Sequence, residues 1–213
     1  MSIEELQEIY KNLKPQIISR LEEFKKLWVN GSEKDLFKEL VFCILTPQSK
    51  AEICWEAVNN LEKKGLLFKG NINQLREEIK NVRFRYKKAE YILEARRKFI
   101  INGKPKIKEQ IEKFKNIFEA REWLVKNVKG IGYKEASHFL RNIGIGESLA
   151  ILDRHILKNL KLLGVINRIP ESLSKKIYFE IEKKMKEFSK QIDIPLSHLD
   201  FILWYKETGK IFK

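Results

Sequence analysis

Lys134 and Asp153 are the two side chains whose type and setting could carry covalent chemistry. Lys134 ends the run Lys129-Gly-Ile-Gly-Tyr-Lys134 and opens a stretch of helical periodicity, and Asp153 lies in Leu152-Asp-Arg-His155. A lysine amine can act as a nucleophile toward an electron-poor carbon. A carboxylate held across a cleft can stabilise positive charge developing there. Gly130 and Gly132 suit a tight turn, with backbone angles denied to other residues, and the N–H groups at the following helix start can hold a phosphate. Each part also has a plain reading: an αα-turn with a glycine stop, a solvated lysine, and an aspartate that only caps a helix.

These residues need elements to position them, and helical periodicity prevails along the chain. Leu36, Phe37, Leu40, Val41 and Ile44 form one apolar face; Ile177, Ile181, Met185 and Phe188 form another. Asn116 can cap a helix over Ile117–Lys126, and Ser49 with Glu52 reads as a capping box. Arg121–Val128 and Lys134–Ile143 are the helices flanking the hairpin, with Ile131 plugging the gap between them. Breaks are expected at Pro15, Asn30-Gly31, Thr46-Pro47, Gly65, Gly70, Asn102–Pro105, Gly130–Gly132, Gly144–Gly146, Pro170 and Pro195. This gives an all-α chain of about a dozen helices in two layers with a cleft between them. The expected division is 31–146, ending in the hairpin, against 1–30 plus 147–213, which carries Asp153.

Composition bounds the partners. The chain has 213 residues, 43% hydrophobic and 34% charged, with a formal charge of +14. Such a field attracts polyanions, nucleic acid first among them; the alternative is basicity for solubility alone. Cys43 and Cys54 read as buried thiols of a reduced cytoplasmic protein. Two cysteines cannot build a four-cysteine zinc or iron–sulfur site. No apolar run is long enough for a membrane span, and the acidic, amphipathic start is unlike a signal peptide.

The hairpin block Lys129–Gly144, with Ile151-Leu-Asp-Arg-His-Ile156, resembles the helix–hairpin–helix plus aspartate signature of DNA glycosylases. Within that superfamily GIGYKEASHFLRN, DRHIL and the terminal TGKIFK are similar to the type 2 8-oxoguanine DNA glycosylase/AP lyases. The resemblance covers nearly the whole chain, with least signal in the first 40 residues. It implies Lys134 as nucleophile, Asp153 as stabiliser of the positive sugar, and removal of 8-oxoguanine from duplex DNA followed by a nick. The lyase step follows from the lysine, because members without it use water and stop at base removal. Attack requires a neutral amine, which nearby cations favour and Asp153 opposes.

The residues and the same resemblance together give the rest of the site. Gly130 and Gly132 would hold the DNA backbone, and His155 would contact it or serve a structural hydrogen bond. Phe84 would insert into the duplex, with Arg83 or Arg85 on the orphaned cytosine or its phosphate. Trp204 would stack on the flipped purine, and the terminal Lys213 would take part in recognising it. For Phe84 and Trp204 the competing reading is core packing; for Lys213 it is a frayed end. His138, Asp200 and Gln48 are further pocket candidates. No redox cofactor or catalytic metal is expected, although a monovalent cation at the hairpin carbonyls would fit the relatives. A monomer is expected, and no membrane partner. The rivals are a glycosylase for oxidised pyrimidines, whose usual four-cysteine cluster is missing here, and a non-catalytic DNA-binding module.

Overall fold

The structure, a computed structural model, describes residues 2–213. Helix α1 spans Ile3–Asn30 and is capped by the Ser2 side chain. Pro15 lies inside it and does not break it, contrary to the sequence expectation. The proline and the carbonyl of Lys11 that it leaves without a donor are on the exposed face, while Leu6, Leu13, Ile17, Leu21 and Phe24 are buried. Burial along that stripe outweighs a proline cost of about 3 kcal/mol.

Helix α2 (Glu33–Leu45) starts at a Ser32–Asp35 capping box and is buried on nearly every side. Helix α3 (Ala51–Lys63) follows a loop at Thr46–Lys50. The expected Ser49–Glu52 box does not form: α3 begins after Lys50 with no side-chain cap. Ser49 Oγ is spent instead on the Arg83 N–H and on Lys88. Short helices α4 (Leu66–Lys69) and α5 (Ile72–Glu78) lead to α6 (Arg85–Phe99). The break at Asn102-Gly103 is a hairpin turn joining two-residue strands, β1 (Ile100–Ile101) and β2 (Lys104–Pro105). Both turn residues have positive φ, as Asn-Gly favours. Helix α7 is Ile107–Ile111.

Next come α8 (Ile117–Asn127), capped by Asn116 as expected, and α9 (Tyr133–Asn142). The remainder is α10 (Arg154–Leu162), α11 (Lys175–Gln191) and α12 (Leu196–Thr208). The fold is all-α, with a helix–hairpin–helix at α8–α9.

Buried apolar side chains among the described residues, Ile151 apart, fall into two clusters. One draws on residues 36–149 and contains α2, α3, α6 and both hairpin helices. The other draws on residues 6–24 and 150–203. The chain passes between them just after Gly144 and Gly146. Gly144 has φ +84°, and a Cβ there would lie 2.4 Å from the Phe24 carbonyl oxygen on α1. Only glycine permits both that conformation and that approach.

Candidate active site

The hairpin connects α8 to α9 through Val128–Gly132. Gly130 has φ +81°, and a Cβ there would meet the Tyr91 ring at 2.6 Å. Ile131 is buried in the first cluster, filling the space between the helices. Gly132 departs from expectation: at φ −97° its backbone is open to any residue. Its N–H is also already used, donating to Glu135 Oε2 at 3.1 Å. The other Glu135 oxygen lies 3.0 Å from Lys134 Nζ. A carboxylate therefore occupies the α9 start on the hairpin side.

Lys134 is half-buried in the wall of a cavity of about 780 Å³. Asp153, Arg154, His155, Asp200, Trp204 and Lys213 line the same cavity, with Thr46–Glu52 and Arg83 along another side. Asp153 caps α10: its Oδ1 accepts the N–H of His155 at 2.8 Å and of Ile156 at 2.9 Å. Among the described residues Oδ2 takes no hydrogen bond. The cap thus fixes the carboxylate and leaves one oxygen for other work. His155 is engaged within the protein, with Arg154 Nε donating to its Nε2 at 3.4 Å and Glu207 3.8 Å from its Nδ1.

Phe84 is not core. It is 52% exposed, caps α6 with φ +60°, and carries the Arg83 guanidinium 5.1 Å from its ring. Arg85 turns away onto Tyr86, donating to the phenol oxygen at 3.1 Å. Trp204 is half-buried on α12 against the cavity. Lys213 is not frayed: its ammonium pairs with buried Glu39 and stands 3.6 Å over the Trp55 ring. Burial holds the Lys213 pKa below the ordinary lysine value, with Glu39 opposing.

Sequence reasoning missed a layer of buried polar groups beneath these residues. Glu39, Lys88, Arg141 and Asn142 are all at least nine-tenths enclosed. Arg141 reaches Asp200 at 3.7 Å, and Asn142 donates to Glu39 at 3.2 Å. Arg141 Nη1, His138 Nε2 and Asn142 Oδ1 have no hydrogen-bond partner among the described residues. Burial pushes the Asp200 pKa up to about 7, with Arg141 opposing and Asp153 adding to the rise. Glu39 follows Lys38 in a helix whose first turn also carries Glu33, Lys34 and Asp35, so no local signal marks it as the buried charge. Among the described residues no cluster of three or more His, Cys, Asp or Glu side chains gathers as a metal site. None of the described helices is long and apolar enough to cross a membrane.

Residues 17–194 match the family model of 8-oxoguanine DNA glycosylase with its helix–hairpin–helix. The chain belongs to this family. It is 48% identical to the 8-oxoguanine DNA glycosylase/AP lyase of Fusobacterium nucleatum, over 98% of this chain and 96% of that one. It is 42% identical to the Methanocaldococcus jannaschii protein of the same name, over the full length of both. The crystal structure of that archaeal enzyme with a 15mer DNA containing 8-oxoguanine superposes with TM-score 0.89, at 41% identity over 99% of each chain. The Thermotoga maritima 8-oxoguanine DNA glycosylase gives 0.88 at 38% identity, over 99% of this chain and 98% of that one. In this family member, Lys134 and Asp153 share a single cavity, as the sequence motif implied.

Proposed function

We propose that this chain is a base-excision enzyme that removes 8-oxoguanine from duplex DNA through a lysine Schiff base and then nicks the abasic strand. The observation that carries the reading is one cavity holding a lysine amine at a hairpin-anchored helix start and an aspartate fixed by its own cap. The likeness to enzymes named for this activity supports it. The clusters on either side of the cavity support a division into 31–146 and 1–30 plus 147–213. The site of action is the cytoplasm, on nucleoid DNA.

The steps follow from the residues. Phe84, exposed beside Arg83 and Arg85, fills the gap left when the damaged base leaves the stack. Trp204 stacks on the extruded purine, and Lys213, seated on Glu39, shapes the pocket that recognises it. The Val128–Gly132 hairpin, closed onto the Tyr91 ring at Gly130, faces the DNA backbone, and His155 supports the same strand. The Lys134 amine, freed of its proton and of Glu135, attacks C1′ of the sugar. The N-glycosidic bond breaks, and its electron pair leaves with the base, which takes up a proton. Asp153 stabilises the positive charge on the sugar as it develops. Ring opening gives an iminium, which acidifies C2′. Loss of that proton expels the 3′ phosphate.

The test is single-turnover reaction with duplexes carrying 8-oxoguanine opposite cytosine, an oxidised pyrimidine, or no lesion. Release of 8-oxoguanine with strand scission leaving an unsaturated 3′ end is expected. Release without scission would remove the lyase half of the proposal. Preference for the oxidised pyrimidine would redirect the substrate.

A further inference from the structure

Lys88 is only 3% exposed, yet no carboxylate among the described residues forms an ion pair with it. Its ammonium donates to the Leu45 carbonyl at 2.7 Å, the Pro47 carbonyl at 2.7 Å and Ser49 Oγ at 3.1 Å. All three contacts go to one segment, the last residue of α2 and the loop that follows it. Ser49 Oγ also accepts the Arg83 N–H at 3.1 Å, which ties that loop to the turn before α6.

The two tied segments share a second property. Gln48 in the loop has φ +54°, and Phe84 in the turn has φ +60°. Neither residue is glycine, and such conformations persist only where the surroundings over-determine them. Both segments bear on the cavity: Thr46, Gln48, Ser49 and Arg83 line it together with Lys134. A buried cation is costly unless its protons are satisfied, and here two carbonyls and the Ser49 hydroxyl satisfy them. Burial lowers the Lys88 pKa to about 8; of the titratable groups that bear on it, Lys134 on α9 and Arg83 add to the fall, Glu135 on α9 opposes it, and the Cys54 thiol on α3 is held neutral by its own burial.

We infer that Lys88 is a positioning residue: with Ser49 it locks the Thr46–Ser49 loop to the Arg83–Phe84 turn, so that the loop facing the lesion and the side chain that enters the duplex act as one rigid unit during base extrusion. The inference rests on the function proposed above. It assigns Lys88 no contact with the reacting atoms. Extrusion of an intact base depends on that unit, whereas an abasic site has no base to extrude. The glycosylase and lyase activities therefore separate when the lock is broken.

The experiment compares wild type with Lys88→Met and Ser49→Ala. Each protein is given an 8-oxoguanine duplex with 2-aminopurine beside the lesion, and separately an abasic-site duplex. Circular dichroism confirms the folded fraction at the assay temperature. For Lys88→Met the fluorescence rise that reports extrusion is expected to fall by at least about half and excision to slow about 30-fold, with abasic-site cleavage within about threefold of wild type. Ser49→Ala keeps Lys88 and loses the bridge to Arg83, and is expected to slow excision about fivefold in the same pattern. Equal losses of excision and abasic-site cleavage would reduce Lys88 to a fold-stabilising residue and overturn the inference. Wild-type extrusion and excision in both variants would also overturn it. Should Lys88→Met not fold, Ser49→Ala decides alone. Failure of the wild-type protein to excise 8-oxoguanine would instead defeat the functional reading beneath it.

Discussion

Asp200 sits enclosed in the cavity wall with Arg141 as its charged neighbour, and burial raises its pKa to about 7. The unfolded carboxyl titrates near 3.9. Between these values the folded protein binds the extra proton, so stability falls as pH rises through that window and the cost is complete above the folded pKa. Asp200→Asn is therefore expected to flatten this limb, gaining on wild type between pH 5 and pH 8 by on the order of 1–3 kcal/mol. Urea unfolding at several pH values checks this; parallel wild-type and variant profiles would mean that Asp200 stays ionised beside Arg141. Lys134, Asp153 and Phe84 were legible in the sequence because local signals mark them: a glycine hairpin, a cap position, a basic aromatic run. Lys88, Glu39 and Arg141 were not, because their partners lie tens of residues away and a lysine's burial leaves no local trace.

At the scale of elements, the hairpin is anchored by a buried ion pair. Arg121 on α8 donates to Glu182 on α11 at 2.7 Å and to Ser137 on α9 at 3.1 Å, and both charged side chains are almost fully enclosed. The pair joins the two apolar clusters directly behind the hairpin helices. Arg121→Met leaves the buried Glu182 carboxylate with Lys186 alone, 2.9 Å away and partly exposed, and is expected to cost about 3 kcal/mol, with most of it recovered in the Arg121→Met/Glu182→Met double variant. Chemical denaturation of Arg121→Met, Glu182→Met and the double variant reads this out, and additive single-variant losses would argue against coupling. Helix positions were well read from apolar periodicity. The exceptions have tertiary causes: Pro15 is carried by the packing of a 28-residue helix, and Ser49 is drawn from a cap into the lock on Arg83 and Lys88. Glu135 on the Gly132 N–H was likewise invisible in a motif read only as glycines and lysine.

At the scale of the molecule, a formal charge of +14 faces a polyanion. A footprint neutralising about five phosphates gives a slope near −4.5 for log K against log salt. Fluorescence anisotropy of the Lys134→Gln protein on a lesion duplex measures it, and a slope shallower than about −2 would place the basic field away from the DNA. The two apolar clusters with a cavity between them place Lys134 and Asp153 in the same chamber, although one follows the hairpin and the other opens the next unit of chain. The most direct test of that arrangement is borohydride trapping on a duplex with 8-oxoguanine opposite cytosine. A covalent protein–DNA adduct is expected with wild type and none with Lys134→Gln, although the variant still binds. An adduct that survives in Lys134→Gln, or none with wild type on either this duplex or an abasic one, would contradict Schiff-base chemistry at Lys134.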